Sequence, residues 1–63
     1  MSLSVTVYYV DLFYTRLGDD APAWHRTDHG TLQAARLHAR HYAQELGREN
    51  VGLYERYPKI LDF

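Results

Sequence analysis

The chain has 63 residues, a formal net charge of −1 at pH 7 and no cysteine. These values exclude a second sizeable domain, a disulfide framework and the zinc sites built on cysteine, and they provide no overall field that attracts nucleic acid or an anionic membrane. We expect one small domain over residues 1–63, with terminal segments at 1–4 and 59–63. A chain this short buries only about 60% of its unfolded surface. It therefore needs an efficient core, a histidine metal site or a partner subunit.

The sequence predicts a cytoplasmic protein. It contains no apolar run near the roughly 20 residues of a membrane span. The first four residues, Met1 to Ser4, lack the basic and apolar regions of a signal peptide. The absence of cysteine fits a reducing compartment. Six of the seven basic residues are arginine, a bias that suggests a bacterial or phage genome.

The strongest strand signal covers Val5 to Arg16, where β-branched and aromatic residues dominate without glycine or proline. Alternation places apolar side chains on both faces of this strand. One face would carry Val5, Val7, Tyr9 and Phe13, and the other Tyr8, Val10, Leu12 and Tyr14. Two apolar faces indicate a central strand with something packed on each side.

A turn follows at residues 17–22, where Gly18, two aspartates and Pro22 are typical turn residues. A short second strand then runs from Ala23 to Arg26 or Thr27, with Trp24 as its main anchor. These features predict a β-hairpin.

An amphipathic helix begins near Leu32, with Asp28 or Thr31 as the best N-cap and Gly47 as the residue that ends it. Its apolar positions fall on an arc of about 100°. They are Leu32, Ala35, Ala39, Tyr42, Ala43 and Leu46. Because half of these are alanines, the helix can lie close to the sheet.

The third predicted strand covers Val51 to Tyr57 and ends at Pro58. A right-handed helical crossover from the hairpin places it beside the first strand, in the order 2-1-3. The predicted fold is therefore α+β, of ββαβ type, with a three-stranded antiparallel sheet and one amphipathic helix on one face. The apolar tail from Lys59 to Phe63 is expected to dock.

One helix covers only one face of such a sheet, and the second face would expose a large apolar patch, which monomers seldom do. We expect a homodimer with two-fold symmetry to cover it, packed face to face or edge to edge. The alternative is that Ile60, Leu61 and Phe63 fold over this face in a monomer. The candidate interaction residues are Tyr9, Phe13 and Val7, with Tyr54 or Leu53 from the third strand according to register.

A second hypothesis is nucleic-acid binding, in which sheet tyrosines stack on bases while Arg36 and Arg40 contact phosphates. The absence of an RNP-like motif and the slight excess of acidic residues count against it. Leu37, between these arginines on the polar helix face, could anchor a small partner patch, although isolated exposed leucines are common.

Catalysis and metal binding rank last. His38, His41 and Glu45 share one side of the helix, and His29 could add a nitrogen, but this spacing occurs often by chance. Asp11 interrupts the apolar strand and is a candidate buried carboxylate for a third hypothesis, a ligand-binding or catalytic pocket at a dimer boundary. We assign no catalytic residue, cofactor or metal ligand. The expected function is that of an accessory protein acting through protein–protein contacts.

Overall fold

The computed structural model describes residues 6–56 and 58–63. The predicted strand ends at Val5 and Tyr57, and the terminal segment 1–4, lie outside the described residues. The elements in chain order are β1 (Tyr8–Tyr14), β2 (Ala23–His29), α1 (Leu32–Leu46), a 3₁₀ turn (Arg48–Asn50), β3 (Val51–Glu55) and β4 (Lys59–Leu61).

The sheet is antiparallel throughout, in the order β2-β1-β3-β4. The predicted α+β class, the single helix and the central position of the first strand are confirmed. β1 pairs along its whole length with β2, from Tyr8 opposite His29 to Tyr14 opposite Ala23. On its other side it pairs with β3, from Tyr8 opposite Glu55 to Leu12 opposite Val51.

The prediction of three strands is wrong, because the sheet has four. The extra strand, β4, is the segment expected to be a docked tail. Three residues are too few to produce a readable strand pattern, and β4 forms because β3 offers its free edge to a chain that turns back after Arg56. Arg56 has φ 44°, in the left-handed region that permits this tight reversal.

The helix has the predicted ends. The Thr31 hydroxyl accepts a hydrogen bond from the backbone N–H of Ala34 at 3.1 Å, which identifies Thr31, not Asp28, as the N-cap. At the other end Gly47 has φ 95°, where a side chain would be strained. The Gly47 N–H donates to the carbonyl of Ala43 at 3.0 Å and closes the last turn.

The core lies between α1 and one face of the sheet. Ala35 and Ala39 of the helix are fully buried, so the helix backbone approaches the sheet closely. Among the described residues the buried apolar side chains are Val10, Leu12, Ala35, Ala39, Val51 and Leu53. Half-buried tyrosines and leucines surround this group. The core is one thin layer of mostly small side chains.

The tail does not cover the second face of the sheet, contrary to the monomer alternative above. β4 lies beside β3, with Leu61 opposite Leu53 and Ile60 opposite Tyr54. Leu61 and Phe63 pack against the core on the helix side. Ile60 points to the other side and is 76% exposed.

The two edges of the sheet differ. β2 is a seven-residue edge that contains no proline, whereas β4 has three residues and directly follows Pro58. The helix of the described chain is not long and apolar enough to cross a membrane.

Candidate functional site: the open face of the sheet

We call the face of the sheet opposite α1 the open face. Its rows follow from the strand register, which sets Tyr9 opposite Tyr54 and Asp28, Asp11 opposite Arg26 and Gly52, and Phe13 opposite Trp24. With Ile60 opposite Tyr54, the open face comprises Tyr9, Asp11, Phe13, Trp24, Arg26, Asp28, Gly52, Tyr54 and Ile60. The helix packs on the opposite face, where Ala35 and Ala39 are buried with the apolar side chains of β1 and β3.

An ion pair occupies the middle of the open face. Arg26 donates from Nε to Asp11 Oδ1 at 2.8 Å and from Nη2 to Asp11 Oδ2 at 3.0 Å, in a two-pronged arrangement. The guanidinium also lies over the Tyr9 ring, 4.9 Å from its centroid. The charge of Asp11 is therefore neutralised within the face, and the two side chains are held in fixed positions.

Aromatic rings lie on both sides of this ion pair. The Phe13 and Trp24 rings are in contact, with centroids 5.2 Å apart, and Trp24 is 54% exposed. On β3 the Tyr54 side chain lies back over Gly52, where an added Cβ would come within 2.8 Å of the tyrosine oxygen. Glycine at position 52 thus lets the Tyr54 ring lie flat against the sheet. The result is a surface on which four aromatic side chains lie around a neutralised charge pair.

Three predicted interaction residues, Tyr9, Phe13 and Tyr54, lie together on the open face. Val7, immediately before β1, continues the same alternation. The register decides the alternative on β3 in favour of Tyr54, because Leu53 pairs with Val10 and is fully buried under the helix. Leu53 is a core residue and takes no part in an exposed surface.

The helix candidates are on the other side of the molecule. Arg40 and Leu37 are exposed on α1 and Arg36 is half-buried. The structure therefore does not combine Arg36 and Arg40 with Tyr9 and Tyr54 on one surface, as the nucleic-acid hypothesis requires. A ligand that used both groups would have to pass around the edge of the sheet.

The histidines are also separated from Asp11. Thr27 and His29 of β2 face the helix, and the His29 and His38 rings are 4.8 Å apart. Within the single chain, Asp11 and these two histidines lie on opposite faces of the sheet. An open depression of about 320 Å³ does adjoin Asp11, and the other described residues in its walls are Trp24 and Arg26. Within residues 6–56 and 58–63, no group of three or more metal-ligating side chains converges.

His38 is packed between two rings, His29 at 4.8 Å and Tyr42 at 4.9 Å. Its Nε2 is buried and has no hydrogen-bond partner among the described residues. Burial lowers the pKa of His38 below its ordinary value of 6.5, and the neighbouring His29 and His41 lower this pKa further. The folded protein therefore favours the neutral imidazole.

This environment predicts that acid destabilises the protein through His38. Because the unfolded chain binds the proton more readily, the contribution of His38 to stability is complete above the unfolded pKa of 6.5 and is lost as the pH falls below it. Urea unfolding at about pH 7.5 and about pH 5.5, on either side of an ordinary histidine pKa, measures the effect. His38→Gln is expected to reduce the loss of unfolding free energy between these two conditions.

His41→Gln is the matched control, because His41 lies on the same helix but is exposed. It is expected to keep most of the acid sensitivity of the parent chain. If His38→Gln and His41→Gln change the pH dependence equally, the assignment to the His38 environment is wrong.

Two large apolar side chains of the open face, Trp24 and Ile60, were not among the predicted interaction residues. Trp24 was identified only as a strand anchor, and Ile60 only as part of a tail. Both positions depend on strand pairing: Trp24 is on this face because it is opposite Phe13, and Ile60 because it is opposite Tyr54. The hairpin alternation could have identified Trp24, but no local signal could have identified Ile60.

Comparison with known proteins identifies no relative. The chain matches no protein-family model, no curated protein and no solved structure. Its function must therefore be inferred from its own surface.

Proposed function

We propose that this protein acts through protein–protein contacts, as a small bacterial or phage accessory factor that forms a homodimer through its open face. The observation that supports this is the uncovered aromatic surface around the Arg26–Asp11 pair. The proposal includes a cytoplasmic location, since a chain without cysteine needs no oxidising compartment to fold. It includes no catalytic role.

Because the core is thin, the folded chain would gain stability by burying more apolar surface. Of the buried residues in the described chain, only Val10 and Leu53 are large side chains with almost no exposure. A single layer of this kind contributes little apolar burial for a chain that must also order 63 residues. Packing a second sheet on the open face would turn β1 into a strand buried on both sides, as its two apolar faces require.

A second copy of the chain is the occupant that fits best. The ion pair leaves the centre of the face without net charge, so two copies meet there without repulsion between like charges. A two-fold axis parallel to the strands, between β1 and β3, would place Tyr9 of one copy over Tyr54 of the other. Asp11 would then lie over Gly52, where there is no side chain to clash.

The size of the face indicates a weak dimer. The four strands are about 4.8 Å apart and have seven, seven, five and three residues, so they span a footprint on the order of 350 Å². Stable interfaces bury about 800 Å² of accessible surface per partner. Side chains that stand above the sheet increase the buried area beyond this flat footprint. We do not expect the total to be far above about 800 Å² per partner. We therefore expect a dissociation constant in the range of about 1–100 μM, typical of small interfaces.

Light scattering behind a sizing column, over a dilution series, tests the dimer. The mass is expected to approach twice the 7.4 kDa of one chain at high concentration and to fall on dilution. Trp24→Glu replaces an exposed aromatic ring of the open face by a charge in both copies and is expected to shift the equilibrium toward the monomer. Circular dichroism of the same sample establishes that this variant is folded.

Leu37→Glu is the matched control, because Leu37 is 59% exposed on α1 and Trp24 is 54% exposed on the open face. The control is expected to dimerise like the parent chain. A parent chain that remains at 7.4 kDa at about 1 mM, well above the expected constant, contradicts the proposal. Loss of the dimer in Leu37→Glu but not in Trp24→Glu would move the interface to the helix.

A further inference from the structure

A groove runs between the outer flank of α1 and the chain that follows β4. It consists of two adjoining depressions of about 410 and about 210 Å³ that share Arg40 and Phe63 in their walls. Ala43, Gln44 and Arg48 complete the first, and Arg36 and Asp62 the second. Phe63 packs against the core and forms the floor. The groove is on the helix side of the sheet, so the open face plays no part in it.

Positive charge dominates the groove. Three arginines, Arg36, Arg40 and Arg48, line the groove, and Asp62 is the one acidic side chain among its described lining residues. Among residues 6–56 and 58–63, neither Arg36 nor Arg40 forms an ion pair with a carboxylate. This contrasts with Arg26 on the open face, whose charge is neutralised by Asp11. The local charge is thus opposite in sign to the net charge of the chain.

The spacing of the arginines brings like charges together. Arg36 and Arg40 are four residues apart, which places them as neighbours on one side of the helix, about 6 Å apart at Cβ. Like charges at this spacing destabilise a helix. A bound anion would remove the repulsion, and no carboxylate on the described part of α1 is paired with either side chain.

Arg48 is held in place at the end of the groove. Its Nη2 donates to the backbone oxygen of Phe63 at 2.8 Å, and its guanidinium lies over the Phe63 ring at 4.4 Å from the centroid. These contacts use one donor and one face of the group, and the remaining N–H groups stay available. A positioned guanidinium loses little freedom when it binds an anion.

We propose that this groove binds a phosphoryl group. A guanidinium presents a planar set of donors that matches the oxygens of phosphate, and several guanidiniums suit a dianion better than a singly charged carboxylate. The volume of the groove accommodates a phosphate ester larger than the free ion. The site is distinct from the proposed dimer contact and does not depend on it.

Titration with inorganic phosphate, followed in amide and arginine Nε–Hε NMR spectra, tests the site. Saturable shifts are expected at Arg36, Arg40, Arg48 and Phe63. Arg36→Gln with Arg40→Gln is expected to weaken phosphate binding at least about tenfold, as expected for loss of charge-assisted hydrogen bonds. A linear, non-saturating response, or shifts spread over all basic residues, would overturn the proposal.

The matched control is Arg16→Gln with Arg56→Gln, which removes the same charge from two exposed arginines in turns, outside the groove. It is expected to bind phosphate within about twofold of the parent chain, since surface charges outside the site act only through a screened field. Equal weakening in both double variants would show a bulk charge effect and overturn the site. The dimer measurement above is unaffected by either result.

Two further probes distinguish the sources of the phosphoryl group. A 5′-mononucleotide that binds at the same residues at least as tightly as phosphate supports a small phosphate ester as the ligand. A single-stranded oligonucleotide that binds much more tightly, with a steep dependence on salt, supports a nucleic-acid backbone instead. Failure of both esters while free phosphate binds would overturn the assignment of an ester and leave a site for the free ion.

Discussion

Leu53→Ala is expected to lower the free energy of unfolding by about 2–4 kcal/mol, as buried leucines do when they are truncated. Leu53 is fully buried on β3, opposite Val10 and Leu61, and is one of the two largest fully buried side chains of the described chain. A protein of this length has a total stability on the order of 3–9 kcal/mol. The substitution should therefore leave a measurable unfolded population at room temperature.

Urea unfolding followed by circular dichroism measures this effect, at one fixed protein concentration because association would add to stability. Leu37→Ala removes the same atoms from a leucine that is 59% exposed on α1. It is expected to change stability by less than about 0.5 kcal/mol. Similar losses in both variants would mean that the core is not where the structure places it.

Ala39→Leu is expected to destabilise the protein by about 1–3 kcal/mol, through overpacking. Ala39 is fully buried where α1 meets the sheet, and the short side chain sets the distance between helix and strands. A leucine there must push the helix outward or force neighbouring side chains from their rotamers. The same substitution at an exposed site would have no such effect.

Ala34→Leu provides that comparison, because Ala34 is exposed on the same helix and the substitution is alanine to leucine at both positions. Alanine and leucine have nearly equal helix propensity. We expect the exposed variant to unfold within about 0.5 kcal/mol of the parent chain, as surface substitutions do. A stabilising effect of Ala39→Leu would show that the interface contains space to fill, and that the helix is not in close contact with the sheet.

The parts of the fold that the sequence predicts well are those with strong local patterns. β1 is apolar on both faces, and this predicts its central place in the sheet. The alanine-rich stripe of α1 and the residues Thr31 and Gly47 predict the helix and its ends. Each of these signals depends on side chains within one element, so no knowledge of the rest of the chain is needed.

The predictions that were wrong concern features that depend on pairing between strands. β2 continues to His29, past the predicted end at Arg26 or Thr27, because Tyr8 and Tyr9 pair with polar residues that have little strand propensity of their own. β1 is shorter than predicted, from Tyr8 to Tyr14, the residues that pair with β2. β4 depends wholly on the free edge of β3.

The candidate site shows the same division. Alternation on β1 was sufficient to place Tyr9 and Phe13 on a face of their own. The choice between Tyr54 and Leu53 required the register of β3 against β1. The separation of Arg36 and Arg40 from the tyrosines required the position of the helix, which no pattern in the sequence supplies.

The unequal edges of the sheet limit how strands of different copies could join. β4 is short and follows a proline, which has no N–H to donate, so it is a poor template for another chain. β2 is seven residues long and is the better template. If two β2 edges met, only β4 edges would remain at the ends. Joining of this kind stops at a closed pair, and a continuous fibre, which needs two competent edges on every chain, has no second edge from which to grow.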